Sequence, residues 1–260
     1  MSGKVYLAGA GPGDPELLTV KALRLLQTAD VILHDDLVAP EILRLIPTDA
    51  QVQNVGKRSG KKTMRQEEIN FLMVSLAAKG LQVVRLKSGD PLIFGRAGEE
   101  IEALRQANIE YEIVPGVTSG LGAAAAAGIP LTHRRNASTL VLTTGHRASE
   151  NSDAEWSQFA ASESTLVVYM PGHDYAGIAN RLAAAGFARN TPCAIISRAT
   201  TPHQQMHITT ISSLPHSPRL SAPTLLVVGE AVKFADVSAS EVDENYLSQP
   251  ENLQREERLA

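Results

Sequence analysis

Two α/β domains, the first on a largely parallel sheet and the second on a mixed one, form the fold class that the sequence predicts. Three observations carry it. Through residue 114 short apolar runs alternate with segments of helical periodicity, the pattern of a parallel sheet covered on both faces. After Pro115 the alternation loosens and a small-residue helix leads into a second set of apolar runs. The last two of these follow each other with little helix between them, which favours antiparallel pairing.

In the first half KVYLAGA (4–10), VILHD (31–35), VQNV (52–55), LQVVRLK (81–87) and YEIV (111–114) read as strands. Helices are expected at about 15–28, 66–79 and 96–108. The first shows the periodicity best, with Leu17, Leu18, Ala22, Leu25 and Leu26 forming one stripe. TSGLGAAAAAG (118–128) is the small-residue helix, and the domain junction is placed within 115–130. STLVLTT, STLVVYM, TPCAIIS, MHITTI and PTLLVVG read as the strands of the second half, with a helix at about 174–186 among them.

The formal net charge is −4, which taken alone argues against nucleic acid and against any strongly anionic partner. From Asp236 onward, however, seven acids stand against two bases, so the body is near neutral and the acidity belongs to a polar tail expected to be solvated. Within the body GKRSGKKTMR (56–65) and LTHRRNASTLVLTTGHR (131–147) carry bases and no acid. Each is a place to hold an anion or, more simply, a solvated charge run. The single cysteine, Cys193, rules out an internal disulfide and a cysteine-built metal cage, and points to a reducing, cytoplasmic setting. No signal peptide and no apolar stretch of membrane-spanning length is expected. Scattered histidines without a metal-ligand spacing predict no metal.

Three strand-to-helix turns concentrate the chemistry. GAGPGD (9–14) lacks the G-x-G-x-x-G spacing of a dinucleotide fold, and Pro12 stiffens the turn where a pyrophosphate requires open amides. A nicotinamide oxidoreductase is therefore disfavoured, and no P-loop sequence is present. Ser-Gly-Asp-Pro at 88–91 sets a carboxylate and a rigid turn at a strand end, where open parallel sheets bind ligands. Arg96 and Glu99 follow at i and i+3, spaced to share one face of a helical turn, with a surface ion pair as the plain alternative. VPGVTSG (114–120) is a third turn of this kind.

Taken in order, VYLAGAGPGDPELLTVKA, ADVILHDDLV, VGKRSG, QEEIN, VVRLKSGDPLIFGRAGEE, VPGVTS and AGIPLTHR resemble the tetrapyrrole methylases, in particular the S-adenosylmethionine-dependent uroporphyrinogen-III C-methyltransferases. The resemblance runs over about residues 3–235. It implies two α/β domains, 1–115 and 116–235, followed by the acidic tail 236–260, with the cofactor in the cleft between them. It further implies a homodimer that binds neither nucleic acid nor membrane. The reaction implied is methylation of uroporphyrinogen III at C2 and then C7, giving precorrin-1 and precorrin-2 for sirohaem, cobalamin or haem d1, with S-adenosyl-L-homocysteine as by-product. A related enzyme acting on a later corrin precursor, and a binding module without turnover, are the alternatives. Because the motifs begin at the first residues, no dehydrogenase–ferrochelatase region is expected ahead of them.

Matched motif by motif, the resemblance implies cofactor contacts from Pro12, Ser88, Gly89, Asp90, Ile93, Thr118, Ser119, Met170 and Ala199. Met170 taken alone also reads as a core methionine. On the substrate and catalytic side it implies Arg96, Glu99 and Arg134, with Asp35 and Lys57 as further candidates. Guanidinium forks suit a substrate carrying eight carboxylates, and Asp35 is the candidate base, with helix cap or ion-pair partner as the alternative. The family's Tyr-Asp-Arg-Leu-Val is here His34-Asp35-Asp36-Leu37-Val38, its Lys-Gly-Gly-Asp-Pro is KSGDP, and Ala199 stands in place of a glycine.

Overall fold

The structure, a computed structural model, describes residues 3–56, 64–135, 137–145, 156, 164–236 and 241–242. The chain divides into two compact units, residues 1–119 and 120–260. In the first, β1 (Lys4–Gly9), β2 (Val31–His34), β3 (Gln51–Asn54), β4 (Gln82–Lys87) and β5 (Glu110–Val114) form one sheet in the order β3-β2-β4-β1-β5. Every pairing in it is parallel.

Helices α1 (Val20–Thr28), α2 (Pro40–Leu43), α3 (Gln66–Ala78) and α4 (Ala97–Gln106) connect these strands. On one face Ala22, Leu25 and Leu26 of α1 cover Ala8, Ile32, Val84 and Leu86. On the other, Ile69, Met73 and Ala77 of α3, with Ala97 and Leu104 of α4, cover Val5, Leu7, Leu33 and Val83. Full burial of a side chain such as Leu26 or Leu104 contributes about 1.5–3 kcal/mol. Connections running toward β3 thus use one face, and those returning toward β5 use the other.

The helix expected over 15–28 is broken. Asp14 Oδ1 accepts the Glu16 amide at 2.8 Å and Pro15 opens a 3₁₀ turn, Pro15–Leu17, after which Leu18 is extended. Thr19 Oγ1 then accepts the Ala22 amide at 3.1 Å and restarts the chain as α1. Two capping side chains five residues apart divide the stripe, so Leu17 and Leu18 lie outside the helix.

In the second unit β6 (Thr139–Thr144), β7 (Ser164–Tyr169), β8 (Pro192–Ser197), β9 (Gln205–Thr210), β10 (Thr224–Val228) and β11 (Glu241–Val242) stand in the order β11-β9-β8-β10-β7-β6. β6 with β7 and β11 with β9 pair parallel, the remainder antiparallel, so the sheet is mixed. The two closing runs, now β9 and β10, do not pair with each other, because β8 lies between them. Helix α5 (Ser119–Ala126) precedes this sheet, and α6 (Tyr175–Ala184), capped by Asp174 Oδ1 on the Gly177 amide, buries Ile178 and Leu182 against Leu166, Ile195 and Leu226.

The tail corrects an expectation. Glu241 and Val242 run beside His207 and Ile208 as an edge strand, so this part of the acidic end is paired backbone rather than solvated chain. Among the described residues no helix is long and apolar enough to cross a membrane, and no group of three metal-ligating side chains converges.

Candidate active site

In the first unit β1 and β4 are neighbours whose connections leave in opposite directions, β1 toward β2 and β4 toward β5. Such a switch point opens a crevice at the carboxyl ends of the strands, and both glycine-bearing turns lie there. Gly11 and Gly89 exchange backbone hydrogen bonds, Gly11 N to Gly89 O at 3.1 Å and Gly89 N to Gly11 O at 2.8 Å, so the two loops are tied across the switch point. Both residues have positive φ, +72° and +68°, which glycine adopts at no steric cost.

The third turn joins by close backbone approach. A Cβ on Gly116 would lie 2.3 Å from Gly89 O, and one on Gly9 would lie 2.6 Å from Gly116 Cα. No side chain fits at either place. Asp90 fastens this arrangement, its Oδ2 accepting the Gly116 amide at 3.0 Å and its Oδ1 the Leu92 amide at 2.8 Å. Both Asp90 oxygens therefore serve the protein's own main chain first. Around them stand the half-buried Pro12, Ser88, Ile93 and Ser119 and the buried Thr118. This donor set of hydroxyls and main-chain groups suits a neutral or zwitterionic ligand such as a nucleoside joined to an amino acid.

Arg96 is not in the helical turn. It is the N-cap of α4 with φ +56°, and Phe94 two residues earlier has φ +52°. Non-glycine residues in this region cost about 1–2 kcal/mol each, and such strain concentrates where function demands a geometry. From that position the guanidinium meets Glu99 with both arms, Nε to Oε1 at 2.8 Å and a terminal nitrogen to Oε2 at 2.7 Å. The bond to Arg96 holds the Glu99 carboxyl below its ordinary range. The pair is exposed, so it orders the side chains more than it stabilises the fold.

Asp35 has a partner that the sequence reading missed. Arg85 of β4, 2% exposed, donates to Asp35 Oδ1 at 2.5 Å and to Glu100 Oε1 at 2.9 Å. Lys87, two residues on, donates to the same Glu100 oxygen at 3.0 Å and stands 3.8 Å from Asp35 Oδ2. Burial, with Arg85 beside it, pushes the Lys87 ammonium below the ordinary lysine range. The available signal was two cations at alternate positions of a strand buried on both faces, VVRLK, where charged residues are almost never enclosed unless paired. The i, i+3 spacing singled out Glu99, but the enclosed carboxylate is Glu100.

The second unit holds the remaining candidates. Met170, directly after β7, is 52% exposed with φ +50°, which overturns its reading as a core methionine. The preceding residue, Tyr169, accepts the Gly120 amide at 2.9 Å and so ties the start of α5 to the end of β7. Ala199 is buried between Arg198 and Thr200, both with positive φ. Arg134 is exposed in the turn closed by the His133–Ala137 bridge. Lys57, with 58–63 of the base-rich segment, lies outside the described residues. The first unit thus brings together Pro12, Ser88, Gly89, Asp90, Ile93, Thr118 and Ser119, and sets Arg96, Glu99 and Asp35 on the neighbouring strand and helix ends.

The family profile of the tetrapyrrole (corrin/porphyrin) methylases matches residues 4–215. The chain belongs to the tetrapyrrole methylases. Among its relatives in that family, the sirohaem synthase of Azotobacter vinelandii is 50% identical over 237 residues, covering 90% of this chain and 51% of that protein. The chain thus spans about half the length of the curated relatives it matches. A crystal structure of uroporphyrin-III-C-methyltransferase from Thermus thermophilus is 42% identical with a TM-score of 0.75, covering 89% of this chain and 94% of that one. A structure of uroporphyrin-III C-methyltransferase from Thermus thermophilus complexed with S-adenosylhomocysteine is 37% identical with a TM-score of 0.78, covering 89% of this chain and 99% of that one. The two α/β sheets, one all-parallel and one mixed, match the fold of that enzyme.

Proposed function

We propose that this chain is an S-adenosylmethionine-dependent methyltransferase that methylates uroporphyrinogen III at C2 and then C7, giving precorrin-1 and precorrin-2. The observation that carries the reading is the glycine-tied junction of three loops at the β1/β4 switch point, in a chain that parallels the Thermus enzyme over 94% of its length. When bound, S-adenosylmethionine supplies an electrophilic methyl group. What the protein adds is alignment with an electron-rich pyrrole carbon and exclusion of water, and proximity of this kind supplies much of the rate.

The loops of Pro12, Ser88–Asp90, Ile93 and Thr118–Ser119 hold the cofactor. Arg96, held in place by Glu99, presents its guanidinium to a carboxylate arm of the tetrapyrrole, and Lys57 supplies further positive charge. Asp35 accepts the proton that leaves the macrocycle after methyl transfer. Its Oδ1 is taken by Arg85, whereas among the described residues Oδ2 has only Lys87, at 3.8 Å. The enzyme works as a cytoplasmic homodimer without a metal, and a mass measurement in solution tests the dimer.

Incubation with labelled S-adenosylmethionine and uroporphyrinogen III tests the activity. Products heavier by one and then two methyl groups are expected. Cofactor binding without transfer would make the chain a binding module, and transfer only to a later corrin precursor would make it a different methylase.

A further inference from the structure

Arg85, Lys87 and Glu100 enclose three charges in the first unit, each residue no more than 2% exposed. Replacing such a cluster with apolar residues is often neutral or stabilising, so stability is a poor reason for its presence. Among the described residues Glu100 Oε2 has no hydrogen-bond partner, so the cluster is not even optimised as an ion pair. What it does have is direction. Val83, Arg85 and Lys87 share the face of β4 that α3 and α4 cover. Asp35 follows β2 directly, its amide bonded to Leu86 O at 3.2 Å, so its carboxylate comes level with the Arg85 guanidinium.

Every nitrogen of the guanidinium is engaged. It spans Glu100 and Asp35 and gives Leu33 O and Leu86 O one bond each at 3.3 Å. Glu100 Oε1 collects Arg85, Lys87 and, from α3, Gln66 Nε2 at 3.2 Å. The same first turn of α4 carries Glu99 outward on Arg96 and Glu100 inward on Arg85.

We propose that Glu100 and Arg85 are positioning residues for the reaction: Glu100 locks the Arg85 fork, and the fork holds Asp35 with Oδ2 turned toward the substrate. The first turn of α4 thereby fixes the carboxylate-binding arginine and the proton acceptor together. This rests on the reading of Asp35 as that acceptor. A carboxylate displaced by about 1 Å loses roughly 100-fold in rate, whereas cofactor binding by the three glycine loops does not pass through it.

A mutant cycle on the full chain tests the inference. Glu100→Gln is expected to lower kcat by roughly 10- to 100-fold, with KM for S-adenosylmethionine and calorimetric binding of S-adenosylhomocysteine within about twofold of the unaltered chain. Combined with Asp35→Asn, it is expected to cost no more than Asp35→Asn alone, since residues that act as a unit are not additive. If Glu100→Gln does not fold, Arg85→Lys, which keeps the charge and loses the fork, takes its place in the same cycle. A full multiplicative loss in the Asp35→Asn background would overturn the inference, because a fold-supporting role would give it. An inactive Asp35→Asn beside a fully active Glu100→Gln would overturn the positioning role and leave Asp35 standing. An Asp35→Asn chain with normal turnover would remove the reading of Asp35 and the positioning role together.

Discussion

Asp90 accepts the Gly116 amide at 3.0 Å, and by that one bond the turn after β4 and the turn after β5 become a single surface. Its other oxygen takes the Leu92 amide, so an amide side chain cannot replace it. In Asp90→Asn one of the two main-chain donors faces an NH₂ group. The expected result is about 1–2 kcal/mol lost from unfolding free energy and at least about tenfold weaker S-adenosylhomocysteine binding, read by urea denaturation and by calorimetry. Unchanged binding would show that the loops keep their places without this carboxylate.

Gly116→Ala acts on the same junction by volume alone. Its Cβ would stand 2.3 Å from Gly89 O, a backbone atom that cannot rotate away, so the two turns must separate. Overpacking of this kind costs about 1–3 kcal/mol. A lower melting temperature and weakened cofactor binding should appear together. Gly98→Ala, inside α4 where a Cβ meets nothing within 4 Å, is the contrasting control and is expected to leave cofactor binding unchanged and the melting temperature equal or slightly higher.

Arg96 and Glu99 separate substrate recognition from cofactor binding. Arg96→Ala should lower turnover at least about 100-fold while calorimetry with S-adenosylhomocysteine stays nearly normal. Arg96→Lys should recover little, because one ammonium cannot reproduce the two-armed geometry seen on Glu99. Equal loss of cofactor binding and turnover in Arg96→Ala would move this residue off the substrate side.

How much of this was legible in the sequence depended on whether the signal was local. The strand runs, the glycine turns and α6 follow from periodicity and capping within a few residues, and the structure has them at those places. The break before α1 was missed because Asp14 and Thr19 both offer caps, and only the fold decides that each is used. β11 was invisible because two residues of a polar tail carry no strand pattern and pair only with the free edge of β9. The buried charges show the limit most clearly. Arg85 and Lys87 are anomalous on sight, but that Glu100 rather than Glu99 answers them depends on which side of α4 faces the sheet, and the adjacent acids carry no sequence mark that distinguishes them.

Cys193 provides a test of the core that is independent of the site. It is fully buried in β8, and burial pushes its thiol far above the ordinary range. In the unfolded chain the thiol ionises near about pH 8.5. The folded-state value being raised, its contribution to stability is complete below the unfolded-state value and is lost as pH rises above it. From about pH 8.5 upward the unfolded state alone releases the proton, and unfolding free energy falls by about 1.4 kcal/mol per pH unit on this account. Lys87, whose folded value is lowered, adds a slope of the opposite sign up to the ordinary lysine range, but it does so equally with and without the cysteine. Urea denaturation between about pH 8 and 10.5 should therefore show unaltered chain and Cys193→Ala diverging in slope by that amount. Parallel curves would mean that the thiol reaches solvent in the native state, and Cys193 would then also react with a thiol reagent without unfolding.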